Sequence, residues 1–145
     1  MIKALVCGGE STLRSCLEFD YDGYINQNRM WNLWIQHSTL NENRYFHSVV
    51  VLPAGTYILG GYGSKFTSEF LPTGGTVWQA GPNIPSPGLL YGCAVAISST
   101  RFVVIGGKRF SPRAAFDNVR MYDTVSDTWR QFWKTNCVSF LNTRL

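Results

Sequence analysis

The stretch Ser99–Phe110 reads S-T-R-F-V-V-I-G-G-K-R-F. Four apolar residues, Phe102 to Ile105, run into Gly106-Gly107, and charges begin at Lys108. A glycine weakens the strand that carries it, so a strand closing on two glycines needs a cause. The chain repeats the event. Ala4-Leu5-Val6-Cys7 runs into Gly8-Gly9, and Tyr57-Ile58-Leu59 runs into Gly60-Gly61. Gly8 to Gly60 is 52 residues and Gly60 to Gly106 is 46, which makes the doublet a mark of period rather than a chance turn.

The surroundings recur with the doublets. Ser48-Val49-Val50-Val51-Leu52 and the turn Pro53-Ala54-Gly55 precede the second; Cys93-Ala94-Val95-Ala96-Ile97 and Ser98-Ser99-Thr100 precede the third. After each doublet come a polar loop and a short segment bearing an aromatic: Leu17–Asp20, Glu69-Phe70-Leu71 and Val119–Asp123. A tryptophan follows, 8 residues after Phe70 at Trp78 and 7 after Tyr122 at Trp129. In the first unit the tryptophan is Trp31 or Trp34, and spacing does not choose between them. Four short strands per unit with turn signals between them predict an all-β repeat.

Apolar run, Gly-Gly, polar loop, aromatic beside an acidic residue, then Trp: this order resembles the kelch motif, whose period is ~50 residues. Arg44, His47 and Ser48 match the family's lead into a first strand. Two departures stand out. Phe70-Leu71 occupies the place of the family's Tyr-Asp, and Tyr91-Gly92 that of its Arg and His. The resemblance implies a kelch-type β-propeller fragment, all-β, with two complete four-stranded blades flanked by two partial ones. Residues 1–35 read as a blade lacking its innermost strand, 45–79 and 91–133 as whole blades, and 137–145 as the first strand of another. Cys137-Val138-Ser139-Phe140-Leu141 copies Cys93–Ile97, and Asn142–Leu145 echoes Ser99–Phe102. A propeller closes with ~4–8 blades, so the missing blades are expected from the rest of a longer chain.

In this reading Gly8, Gly9, Gly60, Gly61, Gly106 and Gly107 are packing devices. They let crowded inner strands approach and take positive φ where the chain bends away. Trp78 and Trp129 pack between blades, each indole N–H needing a partner. A phosphate loop is not indicated, because Gly107-Lys108-Arg109 lacks the Ser or Thr that such a loop carries.

Composition narrows the function further. The chain is 45% hydrophobic and 15% charged, which marks a folded protein rather than a disordered one. A net charge of +4 with scattered basic residues does not make a nucleic-acid surface, and no run reaches the ~20 apolar residues of a membrane span. Cys7 and Cys16 bracket a hairpin and can face each other closely enough for a disulfide. Such a bridge favours an extracellular setting, with the cytoplasm nearly as open. Cys93 and Cys137 are expected as buried thiols on first strands. With only His37 and His47 and no Cys-x-x-Cys, neither a metal site nor a catalytic centre is predicted, and no cofactor. The carboxylates Glu18, Asp20, Asp22, Glu69, Asp117 and Asp123 read as strand-edge or turn residues.

What the resemblance implies is recognition: a non-enzymatic protein-binding module with a scaffold or adaptor role. Two alternatives stay open, a substrate receptor of a cullin ubiquitin ligase and a fragment of a secreted kelch-containing enzyme of the galactose-oxidase type. Relatives bind through the loops after the doublet and those leading into each first strand. Here these are 10–15, 62–67 and 108–113, with the connectors 41–45 and 83–90. Arg14, Tyr62, Lys65, Arg109, Phe110 and Arg113 are the candidate contacts, since Arg and Tyr dominate binding hot spots.

Overall fold

Alternating β-branched and aromatic residues broken by Gly, Pro and Ser turns give short antiparallel hairpins. In the computed structural model, which describes residues 3–9, 14–20, 34–109 and 114–134, no helix occurs among them. The strands are β1 (Lys3–Cys7), β2 (Cys16–Asp20), β3 (Trp34–His37), β4 (Ser48–Leu52), β5 (Gly55–Leu59), β6 (Ser68–Pro72) and β7 (Gln79–Ala80). They continue with β8 (Cys93–Ala96), β9 (Arg101–Ile105), β10 (Lys108–Arg109), β11 (Ala114–Ala115), β12 (Asn118–Asp123) and β13 (Thr128–Lys134). Three sheets form in succession: β1-β2-β3, then β4-β5-β6-β7, then β8-β9-β12-β13, with β10-β11 a small hairpin after the third doublet. Phe110, Arg113, Trp31 and the segment 137–145 lie outside the described residues.

The three doublets occupy one structural place. Gly8, Gly60 and Gly106 have φ of 71°, 67° and 65°; Gly9, Gly61 and Gly107 have 127°, 99° and 124°. The first glycine's N–H donates to the carbonyl of Ser15, Thr67 or Asn118 at 2.8, 3.0 and 2.9 Å. The residue before the doublet then pairs identically across the hairpin, as Cys7↔Cys16, Leu59↔Ser68 and Ile105↔Val119.

This register corrects the sequence alignment in one unit. Counting from the doublets, the counterpart of Tyr122 is Leu71, and Leu71 lies 7 residues before Trp78 as Tyr122 does before Trp129. Phe70 pairs with Gln79, so the next pair of the same ladder is Leu71 and Trp78, just as Tyr122 pairs with Trp129. The Tyr-Asp place is therefore Leu71-Pro72, not Phe70-Leu71. In the first sheet Phe19 pairs with Trp34, which makes Trp34 the equivalent tryptophan. Likewise Tyr62 N donates to Tyr45 O and Lys108 N to Leu90 O, so Leu89 and Gly92 stand where the second unit has Arg44 and His47.

Packing follows from strand alternation. On β4, Val50 and Leu52 are buried towards the third sheet, where they join Tyr57, Leu59, Phe102, Val104 and Tyr122 in one core. A ring series runs through it, Tyr57 to Phe102 to Tyr122 to Trp129, with centroids 5.0–5.3 Å apart. A second core joins the first two sheets through Cys16, Leu40, Ile58, Leu71 and Trp78, with Leu5 and Cys7 against them. Each such buried side chain contributes roughly 1.5–3 kcal/mol. Cys7 and Cys16 are joined by a disulfide. The indole N–H groups of Trp78 and Trp129 are buried without a hydrogen-bond partner among the described residues, contrary to expectation. Cys93 is likewise not a buried thiol. It is free and exposed, because its side of β8, shared with Val95, has no sheet against it among the described residues.

Candidate functional site

The doublets set the connectors that enter each blade. A Cβ on Gly8 would lie 2.7 Å from the carbonyl of Arg44, and one on Gly60 would overlap that of Leu89, the equivalent residue one blade on. Gly61 N–H donates to the same Leu89 carbonyl at 2.9 Å. The first glycine thus seats the next blade's connector, and the second sits against its own, with Tyr45 O 2.9 Å from a Cβ on Gly61.

Each connector is pinned by one buried charge on the third strand of its blade. Glu69, expected at a strand edge, is instead 2% exposed. It accepts the N–H of Asn41 at 2.6 Å, the N–H of Glu42 at 3.1 Å and Nε of the fully buried Arg44 at 3.1 Å. Arg44 also donates to Gly60 O at 2.9 Å. In the third sheet the same slot holds Arg120, which donates to the carbonyls of Pro85 and Gly88. Burial pushes its guanidinium pKa down. A buried charge needs such partners: Glu69 has the opposite charge of Arg44 at 3.0 Å, whereas Arg120 meets backbone carbonyls.

Held like this, the connectors present aromatic rings. Phe46 and Tyr91, equivalent residues just ahead of β4 and β8, both take left-handed backbone conformations, φ 58° and 57°. For a bulky side chain that is a true outlier, costing about 1–2 kcal/mol each. Their rings stack at 4.2 Å. Tyr45 meets Phe46 edge-on at 4.8 Å and Tyr62 at 4.9 Å, and Lys108 Nζ stands 5.7 Å from the Tyr91 ring. The result is a ladder, Tyr62–Tyr45–Phe46–Tyr91–Lys108, with Tyr62, Phe46 and Tyr91 each 43–50% exposed. Beside it runs a shallow groove lined by Glu42, Asn43, Ser64, Lys65, Phe66 and Thr67. The Thr67 hydroxyl, above all, holds the Glu42 carboxyl below its usual pKa, with Arg44 helping.

Of the candidate contacts, Tyr62 joins the ladder. Lys65 is exposed on the neighbouring groove with Nζ 4.9 Å from the Phe66 ring. Arg14 is exposed, but its Nε is tied to Leu40 O at 2.6 Å. Arg109 lies in β10, on the loop that follows Lys108. Tyr45, Phe46, Tyr91 and Lys108 were not singled out from sequence. The available signal was an aromatic two residues ahead of two successive first strands. Among the described residues, no group of three His, Cys, Asp or Glu side chains is placed to hold a metal.

Residues 89–132 match the family model of the kelch motif. The chain carries a kelch repeat. The matched span opens at Leu89, the counterpart of Arg44, and runs through all four strands of the third sheet, so the kelch unit and the connector-plus-sheet unit coincide. The second sheet shares its doublet geometry and pairing register with this kelch unit. No curated protein matches the chain significantly.

Proposed function

We propose that this kelch chain is a non-enzymatic protein-binding module, acting as a scaffold or adaptor, whose contact face is the aromatic ladder and the adjoining loops. One observation carries the reading: two equivalent aromatics are held in costly left-handed conformations and kept half exposed. Strain of that kind gathers where a surface is used. Exposed, pre-positioned Tyr and Phe rings with Lys108 beside them give large contact area at low ordering cost, and such aromatic anchors are enriched at binding hot spots.

The reading is tested with a random peptide library displayed on phage and panned against the chain. Selected peptides should lose at least about tenfold in affinity, about 1.4 kcal/mol, on Tyr62→Ala or Tyr91→Ala. Val125→Ser, at a position 79% exposed in the turn between β12 and β13, should leave binding intact. Peptides indifferent to both ladder variants would refute the assignment.

A further inference from the structure

β12 starts at Asn118, against the third doublet, and runs to Asp123, so its turn into β13 lies at the far end of the blade from the aromatic ladder. Beside that turn the second and third sheets leave a cavity of about 270 Å³ lined by Tyr57, Phe70, Ala80, Pro82, Tyr122 and Asp127, among others. Its aromatic walls belong to the core. Tyr57 packs on Phe70 at 4.5 Å and, through Phe102, on Tyr122, and both tyrosines are buried.

Asp127 is the one carboxylate in the lining, and no cationic side chain lines it. It accepts the Tyr122 hydroxyl and makes no ion pair among the described residues. Asp123, four residues earlier, is by contrast paired with Arg101 at 2.6 Å. Burial first, and then Asp127, push the Tyr57 and Tyr122 phenols above their ordinary pKa, so both stay neutral and protonated. One uncompensated negative charge therefore faces the cavity.

The free lone pairs say what it can take. Tyr122 has given its proton to Asp127, so its oxygen is left as an acceptor. The Tyr57 phenol can accept as well, and the carboxylate has lone pairs beyond the one that Tyr122 uses. We infer that this cavity binds a primary alkylammonium group, of the kind carried by a lysine side chain or a free polyamine. Such a group brings three N–H donors and one positive charge to three acceptors and one negative charge. A cation is further attracted by the quadrupole of neighbouring rings. An ammonium on a four-carbon stem needs roughly 150 Å³, at about 30 Å³ per heavy atom, and so fits.

The test uses butylammonium as the probe, with amide shifts of the isotope-labelled chain as the readout. Shifts should centre on Gly81, Tyr122 and Asp127 and saturate with a Kd of about 1–10 mM, ordinary for so small a ligand. Butanol, which has the same shape and no charge, should give no saturable shift. Asp127→Asn keeps an acceptor for the Tyr122 hydroxyl but removes the charge, and should weaken the probe about tenfold. Tyr57→Phe keeps the ring and removes one acceptor, and should weaken it about threefold. Nα-acetyl-lysinamide and spermidine, titrated separately, distinguish the sources: the tighter binder names a partner's lysine or a free polyamine. Shifts scattered over the surface, butanol binding as well as butylammonium, or an affinity unchanged by Asp127→Asn would each overturn the inference.

Discussion

Gly60→Ala measures directly how far the doublet is a packing device. At φ +67° an L residue pays about 1–2 kcal/mol for backbone conformation alone. The new methyl would also overlap the Leu89 carbonyl, which the Gly61 N–H holds at 2.9 Å. That oxygen is backbone and cannot swing aside like a flexible side chain, so overpacking adds about 1–3 kcal/mol. Two controls separate the terms. Gly74→Ala has φ +74° with nothing within 4 Å of the new methyl, and Gly106→Ala has φ +65° with its nearest neighbour, Phe116 O, at 3.3 Å. Gly74→Ala should cost the backbone term only, and Gly106→Ala that term plus the small shift a carbonyl at 3.3 Å has to make. Urea unfolding followed by tryptophan fluorescence should therefore place Gly60→Ala about 2 kcal/mol below Gly74→Ala, a midpoint shift near ~1 M for a slope of about 2 kcal/mol/M. If the three variants fall within about 0.5 kcal/mol of one another, the glycines serve conformation alone and the packing account fails.

Other perturbations report on other parts. Glu69→Ala takes from the fully buried Arg44 its buried carboxylate, leaving it the part-exposed Glu42 at 3.2 Å, and should cost up to about 3 kcal/mol; Arg44→Met combined with Glu69→Leu should recover a large part of that in a double-mutant cycle. His47 has its pKa lowered first by burial and then by the Arg44 charge, so it is neutral in the fold. The unfolded chain takes up the proton near pH 6.5, so stability falls as pH drops below that value, and His47→Gln should flatten the slope in pH-dependent unfolding curves. Phe46→Asn relieves a left-handed bulky residue. It should hold or raise stability by up to about 1 kcal/mol while weakening selected peptides at least about tenfold, which calorimetry and a thermal melt can read side by side. Reducing the Cys7–Cys16 bridge frees a short loop and should cost about 2–3 kcal/mol, visible as a lower unfolding midpoint in reductant.

The period of the fold was legible because glycine is the one residue that fits a left-handed bend against a neighbouring carbonyl. At Gly8 and Gly60, where a Cβ would meet the next connector's carbonyl, the sequence has no other choice. Register was less legible. Leu71 takes the place of an aromatic, and with Phe70 beside it the eye picks the ring, whereas the ladder picks the residue opposite Trp78. The exposure of Cys93 was hidden for a different reason: its sequence neighbourhood matches that of Ser48, which is buried, and only the presence or absence of an adjoining sheet separates them.

The pinning charges explain why part of the site could not be read at all. Glu69 and Arg120 fill the same slot with opposite sign, one accepting connector N–H groups and the other donating to connector carbonyls. The second and third sheets each place there a long polar side chain that reaches the connector, and either end of a hydrogen bond serves; the first sheet has Leu17 at the same place. A motif written in residue types therefore shows nothing at this position. Yet the slot decides how the connector arrives, and hence where Phe46 and Tyr91 come to stand. Exchanging the sign in one blade alone, as in Glu69→Arg, would set two guanidinium groups side by side in a buried site. It should release the connector between Leu40 and Tyr45 without touching any ring of the ladder. Amide exchange of Asn41 and Glu42 would then rise together with loss of peptide binding. Loss of protection with binding intact would show that the ladder holds its shape without the pin.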